Sequence, residues 1–179
     1  MAEIASTKVW MNRLVFVALA FVIIVIQLVP LDMRPAIWAA PDVLLVATLV
    51  WVARRPAYLP VLVVAALFLM TDLLFQRPPG LWAALVVMLT EWVRKRSNGI
   101  RNMPLLLEWG TIAVGIVAIT LANRLVLAIV VTPQPALGLT LIQMISTILV
   151  YPLVVLVAHF VFGISRPAPG QLDSRGQRL

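Results

Sequence analysis

Residues 105–131 read LLLEWGTIAVGIVAITLANRLVLAIVV, and residues 137–162 read LGLTLIQMISTILVYPLVVLVAHFVF. The first stretch holds two charged side chains, Glu108 and Arg124, and the second holds none, with His159 as its one basic residue. At about 1.5 Å of rise per residue, either stretch as a helix is long enough to cross the roughly 30 Å hydrocarbon layer of a bilayer with some tilt. A soluble domain needs a polar exterior, and stretches of this length without one point to lipid as the solvent. The whole chain agrees. Of its 179 residues, 63% are hydrophobic and 12% charged, far from the balance of water-soluble domains.

Working outward, a further apolar run extends from Trp10 to Val29 behind Lys8 and Arg13, like the charged and apolar regions of a secretory signal. No small-x-small cleavage site follows in Pro30-Leu31-Asp32-Met33-Arg34-Pro35, so the run reads as an uncleaved anchor. Next come Ile37 to Ala53, interrupted at Pro41-Asp42 and closed by Arg54-Arg55-Pro56, and Tyr58 to Phe75, closed by Gln76-Arg77-Pro78-Pro79-Gly80. Leu81 to Val93 would rise only about 20 Å, which predicts a span in a thinned region or a partial or re-entrant helix, ahead of a basic loop, Arg94 to Arg101. The expected architecture is an all-α membrane bundle over 1–164. Its six helices fall near 10–29, 37–53, 58–75, 81–93, 105–131 and 137–162, and a disordered tail covers 165–179.

The net charge of +7 would suggest nucleic acid in a soluble protein, but its placement along the chain points to membrane topology. Six spans with both termini cytoplasmic put Lys8, Arg13, Arg54, Arg55, Arg94, Lys95, Arg96, Arg101, Arg166, Arg175 and Arg178 inside. Arg34 and Arg77 are then outside, and Arg124 lies within a helix. No nucleic-acid partner is needed. The absence of cysteine removes disulfides, zinc-thiolate sites and thiol nucleophiles.

Polar side chains within apolar segments carry the remaining information, because an ionised group at the bilayer centre costs at least about 3 kcal/mol. Arg124 can snorkel to the headgroups or pair with Asp72 or Asp42. Asp42, after Pro41, reads as an N-cap, while Asp72 stands near the outer end of its segment. Glu91 and Glu108 flank the basic loop and read as interfacial partners of its arginines. Thr111, Gly115, Ala118 and Ala122 form a small-residue packing stripe, and Gln143, Thr147 and Tyr151 a polar one. Both suit packing within the bundle or against a membrane partner. Pro152 leaves the carbonyl of Ile148 without its helical donor and should bend the last helix. His159 has no serine or acid at helical spacing, no glycine-rich phosphate loop follows a strand, and no catalytic, metal or cofactor set emerges.

Several motifs fall in order: Pro41-Asp42-Val43-Leu44-Leu45, Trp51-Val52-Ala53-Arg54-Arg55-Pro56, Thr71-Asp72-Leu73-Leu74 and Pro79-Gly80-Leu81. Thr147 with Leu149-Val150-Tyr151-Pro152-Leu153 adds a weaker match. The series resembles the rod shape-determining protein MreD family of the bacterial cytoplasmic membrane. Just before Asp72, where that family favours a small residue, Leu67-Phe68-Leu69-Met70 stands. The resemblance implies a non-enzymatic component of lateral wall growth. Its partners would be the periplasmic scaffold MreC and, indirectly, the actin-like cytoskeleton and peptidoglycan synthases. It also implies a fold similar to the substrate-capture subunits of energy-coupling-factor transporters. The rival expectation is a small-molecule or lipid-binding transport subunit with Asp42, Asp72 and Arg124 lining a cavity.

Overall fold

The computed structural model describes residues 2–29 and 38–163. Expectations for Arg34, for the 30–35 link, for Ile37 and for the tail 165–179 with its arginines lie outside the described residues. The described residues form six α-helices and one 3-10 turn. They are α1 (Ala2–Leu28), α2 (Val43–Arg54), the turn Pro56–Tyr58, α3 (Val61–Leu74), α4 (Leu81–Asn102), α5 (Leu105–Ile129) and α6 (Leu137–Phe160).

Helix α2 is the centre. Every residue from Leu44 to Arg54 is buried, and the helix packs against α1, α4 and α6. An apolar helix with no polar face can be stable only when covered on all sides or surrounded by lipid. Trp51 lies between the rings of Phe16 and Phe162, with centroids 5.4 and 5.3 Å away. The helix starts later than the sequence suggested, at Val43, because Asp42 caps it: Asp42 Oδ1 accepts from the Leu45 amide at 2.9 Å. It stops at Arg54 because the residue before Pro56 is driven out of helical backbone, and Arg55 sits at φ −141°.

The tight 56–59 link leaves carbonyls that neighbouring helices satisfy. Arg94 of α4 donates from Nη1 to the Pro56 carbonyl at 2.7 Å and from Nη2 to that of Leu59, while its Nε bonds Glu91 at 2.7 Å. Arg13 of α1 donates to the Ala57 carbonyl at 3.2 Å. These arginines clamp the turn between α2 and α3.

Helix α4 corrects the expectation of a short segment followed by a basic loop. It runs on through Arg94 to Asn102, 22 residues and about 33 Å. Arginine and lysine are strong helix formers, and the Glu91–Arg94 pair at i, i+3 ties the basic part to the apolar part. Its start is fixed from outside. Asp72, buried in the last turn of α3, accepts from the amides of Gly80 and Ala83 at 3.0 and 3.1 Å. Gly80 takes φ +87°, left-handed backbone that glycine adopts without steric cost.

Two further contacts seat α5. A Cβ on Gly115 would lie 2.5 Å from Leu89 Cδ1, so glycine sets the approach of α5 to α4. The Ile148 carbonyl, deprived of its helical donor by Pro152, accepts from the Trp109 indole Nε1 at 2.8 Å. The exterior is apolar, with Leu62, Leu106, Val114 and Phe160 exposed. Three helices, Val9–Leu28, Leu105–Ile129 and Leu137–Phe160, are long and apolar enough to cross a membrane by length and composition.

Gly115→Val should destabilise the bundle by about 1–3 kcal/mol through overpacking. Combining it with Leu89→Ala should recover part of the loss, read as the midpoint of unfolding in mild detergent. An unchanged midpoint in the single variant would contradict the close α4–α5 approach.

Candidate functional site

Polar groups gather at the two ends of α2. At its C-terminal end the Arg54 guanidinium meets Glu108 Oε1 at 3.3 Å, and the Tyr151 hydroxyl donates to the same oxygen at 2.7 Å. All three residues are buried, Glu108 to 1% and Tyr151 to 0% exposure. The helix ends favour both charges: Arg54 occupies the last turn of α2 and Glu108 the first turn of α5, where backbone dipoles stabilise a cation and an anion respectively. Glu108 is thus a buried partner of Arg54 and Tyr151 rather than an exposed interfacial side chain. Glu91 pairs with Arg94 of the basic stretch.

The other end is shaped by a difference in length. Helix α2, at 12 residues, rises about 18 Å, whereas α5, at 25, rises about 37 Å. The shortfall leaves a cavity of about 290 Å³ at the N-terminus of α2, walled by α5, α6 and the α3–α4 turn. Asp42, Arg77, Trp82, Arg124, Gln143 and Thr147 are among its lining residues. A second cavity of about 340 Å³ on the α1–α3 side shares Asp42, Arg77, Trp82 and Gln143. The floor is ordered by hydrogen bonds. The Asp42 amide donates to Thr147 Oγ1 at 2.9 Å, and that hydroxyl donates to the Gln143 carbonyl at 2.6 Å.

Arg124 takes neither acid as a partner. Its Nη1 donates to Thr140 Oγ1 at 2.7 Å and to the Pro135 carbonyl at 3.3 Å, while Gln134 Nε2 donates to the Arg124 backbone carbonyl at 3.2 Å. The guanidinium thus fastens the α5–α6 connection, and among the described residues it has no ion pair.

Of the residues singled out by sequence, Asp42, Arg124, Gln143 and Thr147 converge on the first cavity. Asp72 instead caps α4, and its Oδ1 is buried without a hydrogen-bond partner among the described residues. Tyr151 belongs to the buried triad. The small-residue stripe is divided: Gly115 faces the interior, Thr111 bonds the Leu107 carbonyl of its own helix at 2.8 Å, Ala122 is half-buried, and Ala118 is exposed. His159 is exposed, edge-on to Phe160. Sequence reasoning missed Arg77 and Trp82, which reach the cavity only because the α3–α4 turn lies against the start of α2. It also missed the Arg54–Glu108 pairing. The helix-end positions of Arg54 and Glu108 were the available signal. Among the described residues no group of three His, Asp or Glu side chains is placed to hold a metal ion. No family model, curated protein or solved structure matches the chain.

Glu108→Gln leaves a buried cation without its counter-ion and should cost about 3–5 kcal/mol. Tyr151→Phe removes one hydrogen bond to a charged acceptor, worth about 1.5–3 kcal/mol. Replacing Arg54 and Glu108 together by methionine and leucine should be milder than Glu108→Gln alone, by thermal unfolding of the purified chain. If the double variant proves the worse of the two, Arg54 and Glu108 do not act as a pair.

Proposed function

We propose that this chain is a non-enzymatic scaffold and regulatory subunit of the bacterial cytoplasmic membrane, of the MreD kind, acting in lateral peptidoglycan synthesis. In this reading six helices cross the bilayer with both termini cytoplasmic, and the fold is similar to that of energy-coupling-factor substrate-capture subunits. The chain binds the periplasmic scaffold MreC and, through it, connects to the actin-like cytoskeleton and the wall synthases.

The observation that carries the reading is what the motif residues do. Asp42 caps α2, Arg54 pairs with Glu108, Asp72 caps α4, and Thr147 and Tyr151 tie α6 to α2 and α5. Residues that carry the family resemblance are engaged in fastening helices, which suits a protein that presents a rigid membrane-embedded surface to partners. The short helices fit a six-span arrangement because α2 is wrapped by protein rather than lipid. Arg54 ends α2 just before the turn whose carbonyls Arg94 binds, at the end that this reading assigns to the cytoplasm.

The chain has no cysteine, so single introduced cysteines report topology cleanly. With an impermeant maleimide on intact spheroplasts, Ala136→Cys should label from outside and Lys95→Cys only after lysis. Labelling of both from one side would remove the six-span arrangement. A mild-detergent pull-down of the tagged chain should recover MreC and wall synthases. The exposed Ala118 is the position to enlarge, as Ala118→Trp, since a bulky residue at Gly115 would press on Leu89 inside the bundle and confound the result. Recovery instead of an ATPase pair with a tightly held small molecule would favour transport over scaffolding.

A further inference from the structure

The cavity at the N-terminus of α2 carries an unbalanced charge. Arg77 and Arg124 line it together with one carboxylate, Asp42, giving a formal balance of +1. Asp42 already accepts from the Leu45 amide. Among the described residues the ion pairs are Arg54–Glu108 and Arg94–Glu91, so neither cavity arginine has an acid within 4 Å. Their donors are also largely vacant. A guanidinium offers five N–H groups. Arg124 uses only Nη1, and the Arg77 guanidinium has no hydrogen-bond acceptor among the described residues, its carbon lying 5.4 Å from the Phe75 ring centroid. Asp42 faces Arg77 across this space and offsets one of the two cations, which leaves one positive charge for an anion to match, and planar guanidinium groups suit oxyanions in charge and geometry.

The remaining wall is apolar, with Ile116, Leu127 and Met144 among its residues. A volume of about 290 Å³ lies at the small end of ligand sites and suits a headgroup with a short apolar stem rather than a whole lipid.

We propose that this cavity binds the singly charged phosphodiester group of an amphiphile, with its oxyanion held by Arg77 and Arg124, a hydroxyl-bearing substituent toward Asp42 and its apolar stem against Ile116, Leu127 and Met144. A monoanion neutralises the lining, whereas a dianion would leave excess negative charge beside Asp42. The inference goes beyond the scaffold reading and depends on none of its partners.

The test uses the delipidated full chain in neutral detergent, titrated with dioleoylphosphatidylglycerol and followed by native mass spectrometry. One molecule should bind saturably, and dioleoylphosphatidylcholine should bind about tenfold more weakly or less. Arg77→Gln, which removes no side-chain hydrogen bond among the described residues, and Arg124→Gln should each weaken phosphatidylglycerol binding about tenfold. Lys95→Gln, on the exposed basic part of α4, should leave it unchanged. Competition by tail-free glycerophosphoglycerol would show that soluble phosphodiesters also enter, and failure to compete would assign the site to the membrane lipid. Absence of saturable phosphatidylglycerol binding, or equal binding by wild type and Arg77→Gln, overturns the proposal.

Discussion

The fold depends on burying a short helix that ends in a charge. Helix α2 has no polar face, so neighbours must cover it on every side, yet Arg54 in its last turn cannot be covered without an acid. Glu108 meets that requirement, and its position at the start of α5 brings α5 to the C-terminal end of α2. Tyr151 then brings α6 to the same carboxylate. Buried pairs of this kind add little net stability compared with well-packed apolar substitutes, but a wrong arrangement that leaves a charge unpaired is expensive. The triad therefore fixes the relative placement of three helices more than it strengthens the bundle.

The same shortness has an opposite effect at the other end. Asp42 and Thr147 close the start of α2 about halfway along the longer helices, and the space beyond is polar because helix termini, turns and their caps converge there. One end of the central helix is thus sealed by an ion pair and the other opens on a cavity. Both follow from Pro41 and Pro56 limiting the helix between them.

Much of this was legible in the sequence. The long apolar runs gave α5 and α6, Asp42 after Pro41 gave the cap of α2, and Pro152 gave the exposed carbonyl of Ile148. Those readings rest on local rules that act within a few residues. Pairings across 35 residues or more, such as Arg54 with Glu108, Arg94 with Pro56 and Leu59, and Trp109 with Ile148, depend on which helices become neighbours. Periodicity does not encode that. The length of α4 was misjudged for a different reason: hydropathy ends at Val93, but helix propensity does not, and Arg94-Lys95-Arg96 continue the helix beyond the apolar part. Asp72 was legible as an acid near the outer end of an apolar segment, though its burial and its role on α4 needed the α3–α4 turn.

The bond from Trp109 to the Ile148 carbonyl has a mechanical consequence. Pro152 opens α6 at one point, and a neighbouring indole fills the opening. If α6 slid along α5 or turned about its own axis, that carbonyl would be left bare in an apolar surrounding, a cost that grows as water is excluded. A force applied at the α5–α6 connection is therefore carried as a tilt of both helices together. The bond thus opposes slip between the two helices at the level of Ile148 and favours their moving as a single lever.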